Sequence, residues 1–503
     1  MTASTSDEPP GSASDRGDAD PIAVLDEAGA AGALVRGGTL RIAGYVVGIL
    51  ISVVGASLML RHLGVVGFGR YATVLSVVTI VGGLSDLGLT GVGTREYTVR
   101  PAGEREQLLG NLLGMRLALT SAGIAIACLA GALIGYPAVQ VEGTALAGVG
   151  LLAVVTQDSL MIPLNARLRL GWTAALDFMR QVGTVAVVVA LVVGGSGLLP
   201  FTGAQLPAAV IAVAIAVGLL GGPRTLRPRL DLAEWRLLGR EVLPYAAASA
   251  IGAVYFRVEI VTLSLVATAV QTGLFSAAFR ITEVVAGIPP IVISSALPLL
   301  ARAAEVDRAR LAMIVQRMFE AAIVAGAGIA LAEGLGARVA LDIVAGSHFR
   351  DSVPVLQIQA ATILFSFPLT IFAFVMLALR QRAIQILLSG IGLTVAVVLS
   401  VILAGPYGAR GGAIALVSAE GVMAAGFWIA LNRIDGVHVS LRTVPRVALA
   451  AGVGLAVCLI ASLPSLWAAI VGETIFLAIL ALTGGLPSEI GHLLPRRLAG
   501  QRP

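Results

Sequence analysis

From Gly38 to Gly485 the chain is almost continuously apolar, broken by short polar segments every twenty to thirty residues. A helix with one face in water shows polar residues at helical spacing, and few of these runs do. A membrane span needs about 20 mostly apolar residues to cross roughly 30 Å of hydrocarbon. The pattern predicts fourteen such spans. The first six lie near 38–60, 72–93, 112–135, 142–163, 179–200 and 206–222, and the next six near 243–268, 271–300, 319–341, 354–378, 384–404 and 411–433. Two more, near 446–463 and 466–484, close the chain. The predicted fold is an all-α polytopic membrane protein.

Composition agrees, with 57% hydrophobic residues, 13% charged residues and a mean hydropathy of +0.94. Charge adds orientation. All 34 basic residues are arginine. If the N-terminus is cytoplasmic, 26 arginines fall on inner segments and 5 on outer ones, leaving Arg116, Arg257 and Arg280 within spans. Cytoplasmic loops carry an excess of basic residues, so both termini are expected in the cytoplasm and the chain in the cell membrane. The net charge of +5 then reflects arginines at the inner leaflet and calls for no nucleic-acid partner. Cys128 and Cys458 both fall within spans and suggest neither a disulfide framework nor a metal site. Residues 1–35 read as a disordered cytoplasmic tail without a cleavable signal peptide, and 486–503 as a second tail. The outer loops are short, so function must reside among the helices.

The chain also repeats itself. Gly69-Arg70-Tyr71 opens the second span as Gly273-Leu274-Phe275 opens the eighth, at an offset of 204 residues. Pro200-Phe201-Thr202-Gly203-Ala204-Gln205 follows the fifth span, and Pro406-Tyr407-Gly408-Ala409-Arg410 the eleventh. Arg167-Leu168-Arg169 closes the fourth span, and Arg380-Gln381-Arg382 the tenth. Six spans is an even number, so two such lobes run the same way through the membrane and are related by a pseudo-two-fold along its normal. The expected lobes are 36–222 and 243–433, joined by a basic linker over 223–242. The last two spans, 434–485, form an appendage.

Several stretches resemble a known family. They are Leu60-Arg61-His62-Leu63-Gly64 with Phe68-Gly69-Arg70-Tyr71, then Leu84-Ser85-Asp86-Leu87-Gly88-Leu89, and Tyr255-Phe256-Arg257-Val258-Glu259-Ile260. Asp342-Ile343-Val344-Ala345-Gly346 and Pro406-Tyr407-Gly408-Ala409-Arg410-Gly411 continue the match. Their order and spacing resemble polysaccharide flippases of the Wzx type, within the multidrug/oligosaccharidyl-lipid/polysaccharide (MOP) exporter superfamily that also holds the lipid II flippases and the MATE drug transporters. One departure is Glu259, where the family often has Asp. The resemblance implies a transporter that flips a lipid-linked oligosaccharide by alternating access. It also implies membrane lipids and the polymerase and glycosyltransferases of the same pathway as partners. No cofactor is expected beyond coupling to the membrane potential or to a proton or sodium gradient. A lipid II flippase and a MATE-like antiporter are the alternatives; a membrane enzyme would need a charged outer domain that this chain lacks.

An ionisable side chain at mid-membrane costs roughly 2.5–3.5 kcal/mol and marks a functional candidate. Arg257 and Glu259 lie on the seventh span, Arg280 and Glu283 on the eighth, at similar depth. Arg280 and Glu283, at i and i+3, can pair, whereas Arg257 and Glu259 point to opposite sides of their helix. The four are read as lining a central cavity whose arginines hold a pyrophosphate bidentately; the bland alternative is packing glue between helices. Asp86 and Glu420 are candidate coupling-ion sites, Asp86 equally a helix-packing hydrogen bonder. Asp158 and Arg116 are expected to snorkel to the cytoplasmic surface. Arg61, Tyr71 and Phe275 are candidates for an outer gate. The stretch Arg302 to Phe319 reads as an interfacial helix.

Overall fold

The computed structural model describes residues 28–222 and 227–485. The C-terminal tail and most of the N-terminal one lie outside the described residues, as do residues 223–226 of the linker. Among the described residues the chain is helical with no strand. Eleven helical segments are long and apolar enough to cross a membrane, and Val444–Ile460 is a shorter apolar helix.

Helix α1 runs Ala28–Asp86, beginning inside the segment read as a tail. Its 59 residues, if straight, would extend about 88 Å, nearly three hydrocarbon cores. It breaks instead at Gly64, where φ is 64° and ψ −177°, a conformation that glycine adopts without steric cost. The break falls where the pattern places the turn between the first two spans. After it come α2 (Leu89–Val99), α3 (Ala102–Ile134), α4 (Ala138–Ala166) and α5 (Leu170–Val193). A short α6 (Leu198–Thr202) and α7 (Gln205–Leu219) complete the first half.

The second half comprises α8 (Leu232–Val266), α9 (Ala269–Ala286), α10 (Ile288–Val306), α11 (Arg308–Val344), α12 (Val353–Ala378) and α13 (Arg382–Asn432). Helix α13 also breaks, at Gly408, two residues after Pro406. A Cβ on Gly411 would lie 2.1 Å from the Leu403 carbonyl oxygen, so the chain doubles back tightly there. Gln271 at the start of α9 accepts from the Ala409 N–H at 2.8 Å and fills the space beside Gly408. Helices α14 (Val444–Ile460) and α15 (Ser465–Thr483) pack on α11. Counting α1 and α13 as two spans each is the expectation behind the number fourteen.

One reading of the polar segments is corrected. The Arg302–Phe319 stretch is no interfacial helix: it is divided at Asp307, which caps α11 by accepting from Arg310 N–H at 2.9 Å. Leu311, Val315 and Phe319 are buried in a core with α12 and α13. The linker is half helix, because α8 starts at Leu232, where Asp231 accepts from the N–H groups of Ala233 and Glu234. Just before it the chain lies along α3: Arg229 N–H donates to Gly110 O (2.9 Å) and Asp231 N–H to Asn111 Oδ1 (3.1 Å). Gly114 permits this, since a Cβ there would meet the Arg229 carbonyl at 2.2 Å.

The halves meet most closely where α1 crosses α9. A Cβ on Gly69 would lie 2.2 Å from Ala269 O, and one on Gly273 would lie 2.1 Å from Val65 O. Residues 65 and 69 correspond to 269 and 273 at the repeat offset of 204 read from the sequence. The contact is therefore the same from either side, as a local two-fold requires.

Candidate functional site

Beside that crossing, the interior faces of α1, α5, α7, α8 and α9 enclose a cavity of about 210 Å³. Its charge comes from α8 and α9. Arg257 Nη2 donates to Glu283 Oε1 at 2.7 Å and Arg280 Nη1 to Glu283 Oε2 at 2.9 Å. One carboxylate thus holds two guanidinium groups, one per oxygen, and a net positive charge remains. Arg280 also donates to Ser52 Oγ on α1, bridging the halves. Arg257 Nε is buried without a hydrogen-bond partner. The i,i+3 pair read from the sequence is present, and α9 also supplies the partner of Arg257.

Glu259 lies elsewhere. Some 200° around α8 from Arg257, it is buried and accepts a hydrogen bond from Ser400 on α13. It lines a second cavity, of about 450 Å³, with Glu420 and Tyr255, while Glu283 stands between the two cavities. Glu420 accepts from Tyr255 Oη at 3.1 Å, and one oxygen each of Glu259 and Glu420 is buried without a partner. The sequence reading passes over Glu333 on α11, which accepts from Thr282 Oγ1 at 2.6 Å. An acid within an apolar run was the available signal.

The expectation that Arg116 snorkels is corrected. Helix α3 begins at Ala102, so Arg116 lies about 21 Å along it. It is 2% exposed and pairs with Asp86, with further bonds to Thr90 Oγ1 (3.0 Å) and Ser159 Oγ (3.2 Å). Asp86 also accepts from Gly88 N–H, Thr90 N–H and Thr90 Oγ1. It caps α2 after the chain passes through positive φ at Leu87 and Gly88.

The three gate candidates lie at the arginine-poor face. Arg61 on α1 donates to the carbonyls of Asp342 (3.2 Å) and Ile343 (2.6 Å) at the end of α11, where a cation complements the helix dipole. Phe275 is fully buried and stacks on Phe279, and Tyr71 packs into the same apolar cluster beside Phe68 and Phe349. At the opposite face Arg100 pairs with Glu234 at 2.7 Å. Leu238 and Val242 of α8 are buried there against Leu108 and Leu112 of α3. The halves are joined at both faces.

The model of the polysaccharide biosynthesis protein family matches residues 34–304, more than half of the chain. The chain belongs to that family. No curated protein sequence matches it. Among solved structures it resembles the lipid II flippase MurJ in an inward closed conformation, with a TM-score of 0.75 at 9% identity over 88% of this chain and 98% of the other. An inward-facing MATE multidrug resistance transporter of the MOP superfamily aligns at 0.57 and 14% identity, over 76% and 93%. A MOP superfamily transporter from Pyrococcus furiosus, described by the reverse polarity of its binding pocket, aligns at 0.56 and 16%, over 78% and 94%. Identities this low show a shared fold. The family is that of polysaccharide biosynthesis proteins, and the fold is one found in membrane transporters such as these.

Proposed function

We propose that the protein flips a polyprenyl-pyrophosphate-linked oligosaccharide from the cytoplasmic to the outer leaflet during cell-surface polysaccharide biosynthesis. The observation that carries this reading is the Glu283 fork. Guanidinium groups bind phosphate oxygens in bidentate pairs and keep their charge when desolvated. Two of them face one cavity and share a single carboxylate. An incoming pyrophosphate replaces Glu283 on both. The family match favours a polysaccharide precursor, and the paired arginines weigh against a cationic drug as cargo.

The cycle follows from the contacts between halves. The cavity is smaller than the roughly 300–1,000 Å³ usual for ligand sites, so it must widen to load. On this reading the arginine-rich face is cytoplasmic and opens by parting Arg100 from Glu234. Release outward parts α1 from α9 and frees Arg61 from the end of α11. Glu259 and Glu420, with their unpartnered oxygens, are the acids we assign to a coupling cation. Asp86 is assigned to structure.

The test is export of lipid-linked glycan in cells carrying Arg257→Ala or Arg280→Ala. Each is expected to lower export at least tenfold with normal protein levels in the membrane, and lysine to restore it only in part. Normal export by both alanine variants would overturn the pyrophosphate role. Failure of both to accumulate would instead mark the cluster as packing.

A further inference from the structure

The two walls of the cavity differ in chemistry. Every charged side chain lining it comes from α8 and α9, while the wall from α1, α5 and α7 is uncharged and carries amides and hydroxyls. On that wall the Gln181 side chain makes no hydrogen bond to any described residue, and the Gln205 side chain has only a 3.5 Å contact from Nε2 to Ala147 O, leaving Oε1 free. Thr184 Oγ1 donates to the Arg180 carbonyl at 2.8 Å and keeps its acceptor capacity. Ser76 also lines the cavity, its side chain making no hydrogen bond among the described residues, and Ser276 Oγ, which lines it too, is buried and unpaired. Amide groups at membrane depth are costly to leave without partners. Gln181 and Thr184, at i and i+3 on α5, share one helix face, so both present their polar atoms to the cavity one above the other, about 4.5 Å apart along the helix.

Resting on the pyrophosphate reading above, we infer that this uncharged wall reads the first sugar of the cargo, and that this sugar is neutral and rich in hydroxyl groups. Each amide offers both a donor and an acceptor, as vicinal sugar hydroxyls require. A sugar bearing a carboxylate would be desolvated against a wall with no cation. A site built to hydrogen-bond a hydroxyl discriminates strongly against ligands that lack it, because its own polar groups are then left unpaired. The second half holds the pyrophosphate and the first half selects what is attached to it.

The experiment measures binding of three lipids to the purified full chain in nanodiscs: undecaprenyl pyrophosphate, the same lipid bearing one glucose, and the same bearing one glucuronic acid. The wild type is expected to bind the glucose lipid about tenfold or more tightly than the bare lipid, and the glucuronic acid lipid no more tightly than the bare one. Gln181→Ala and Gln205→Leu should each remove most of the glucose preference. Arg280→Ala should weaken all three lipids alike. A wild type without glucose preference, or a preference that survives both glutamine changes, overturns the inference while leaving the arginine role intact. Bare-lipid binding unchanged in Arg280→Ala overturns the pyrophosphate reading instead, and a wild type that binds none of the three overturns both. If the glutamine variants lose all three lipids, the shape-conserving Thr184→Val decides, a lost preference supporting the sugar wall and a retained one refuting it.

Discussion

Arg116 shows how far a single ion pair can be read at residue scale. It is almost wholly buried, while its partner Asp86 keeps about a third of its side chain exposed. Removing one partner of a buried pair leaves an uncompensated charge and costs about 3–5 kcal/mol; the exposure of Asp86 places Arg116→Leu near the lower figure. Thermal unfolding in detergent should show a clearly lowered Tm, largely restored by adding Asp86→Asn, which removes the stranded charge. An unchanged Tm in the single variant would refute the structural role. The sequence marks Arg116 as an intramembrane charge but not its partner, because Asp86 lies on another helix thirty residues earlier in the chain. Arg280 and Glu283 are legible because i,i+3 spacing is local. The contacts of Arg257 with Glu283 and of Arg280 with Ser52 are not, since they depend on how whole helices are rotated.

At the scale of elements, the crossing of α1 and α9 depends on glycine at two positions matched by the repeat. Replacing Gly273 by leucine puts a side chain where the Val65 carbonyl now sits, so the helices must separate. We expect a cysteine at Ala72, buried in the present arrangement, to react faster with a membrane-impermeant thiol reagent in the Gly273→Leu background, with Cys128 and Cys458 replaced. Equal rates would show that the crossing does not seal this face. The apolar helices, the turn region between the first two spans and the offset of 204 are legible in the sequence, because apolar runs and loop motifs are local signals. The docking of 227–231 on Gly110 and Gly114 is not legible. Two glycines four apart on a helix do not say which backbone they admit.

For the whole molecule, the 26-to-5 division of arginines predicts topology. A reporter fused after Pro223 or Arg497 should report cytoplasm, and one within 195–205 the outside; the reverse would overturn the orientation. Alternating access makes a second demand. Cysteines at Tyr71 and Phe275, one from each half and both in one apolar cluster, should crosslink in this arrangement and block export until reduced. Efficient crosslinking with undiminished export would move the gate to another pair of helices.

The Glu283 fork bears on the half of the cycle that carries nothing. An exporter of this kind must reset empty, and two bare guanidinium groups in a low-dielectric cavity would either stall that return stroke or recruit stray anions and leak them. With Glu283 bridging both, the unloaded site gives each guanidinium group a carboxylate oxygen and cancels half of their charge, so the protein carries within its fold a placeholder for the cargo it has just released.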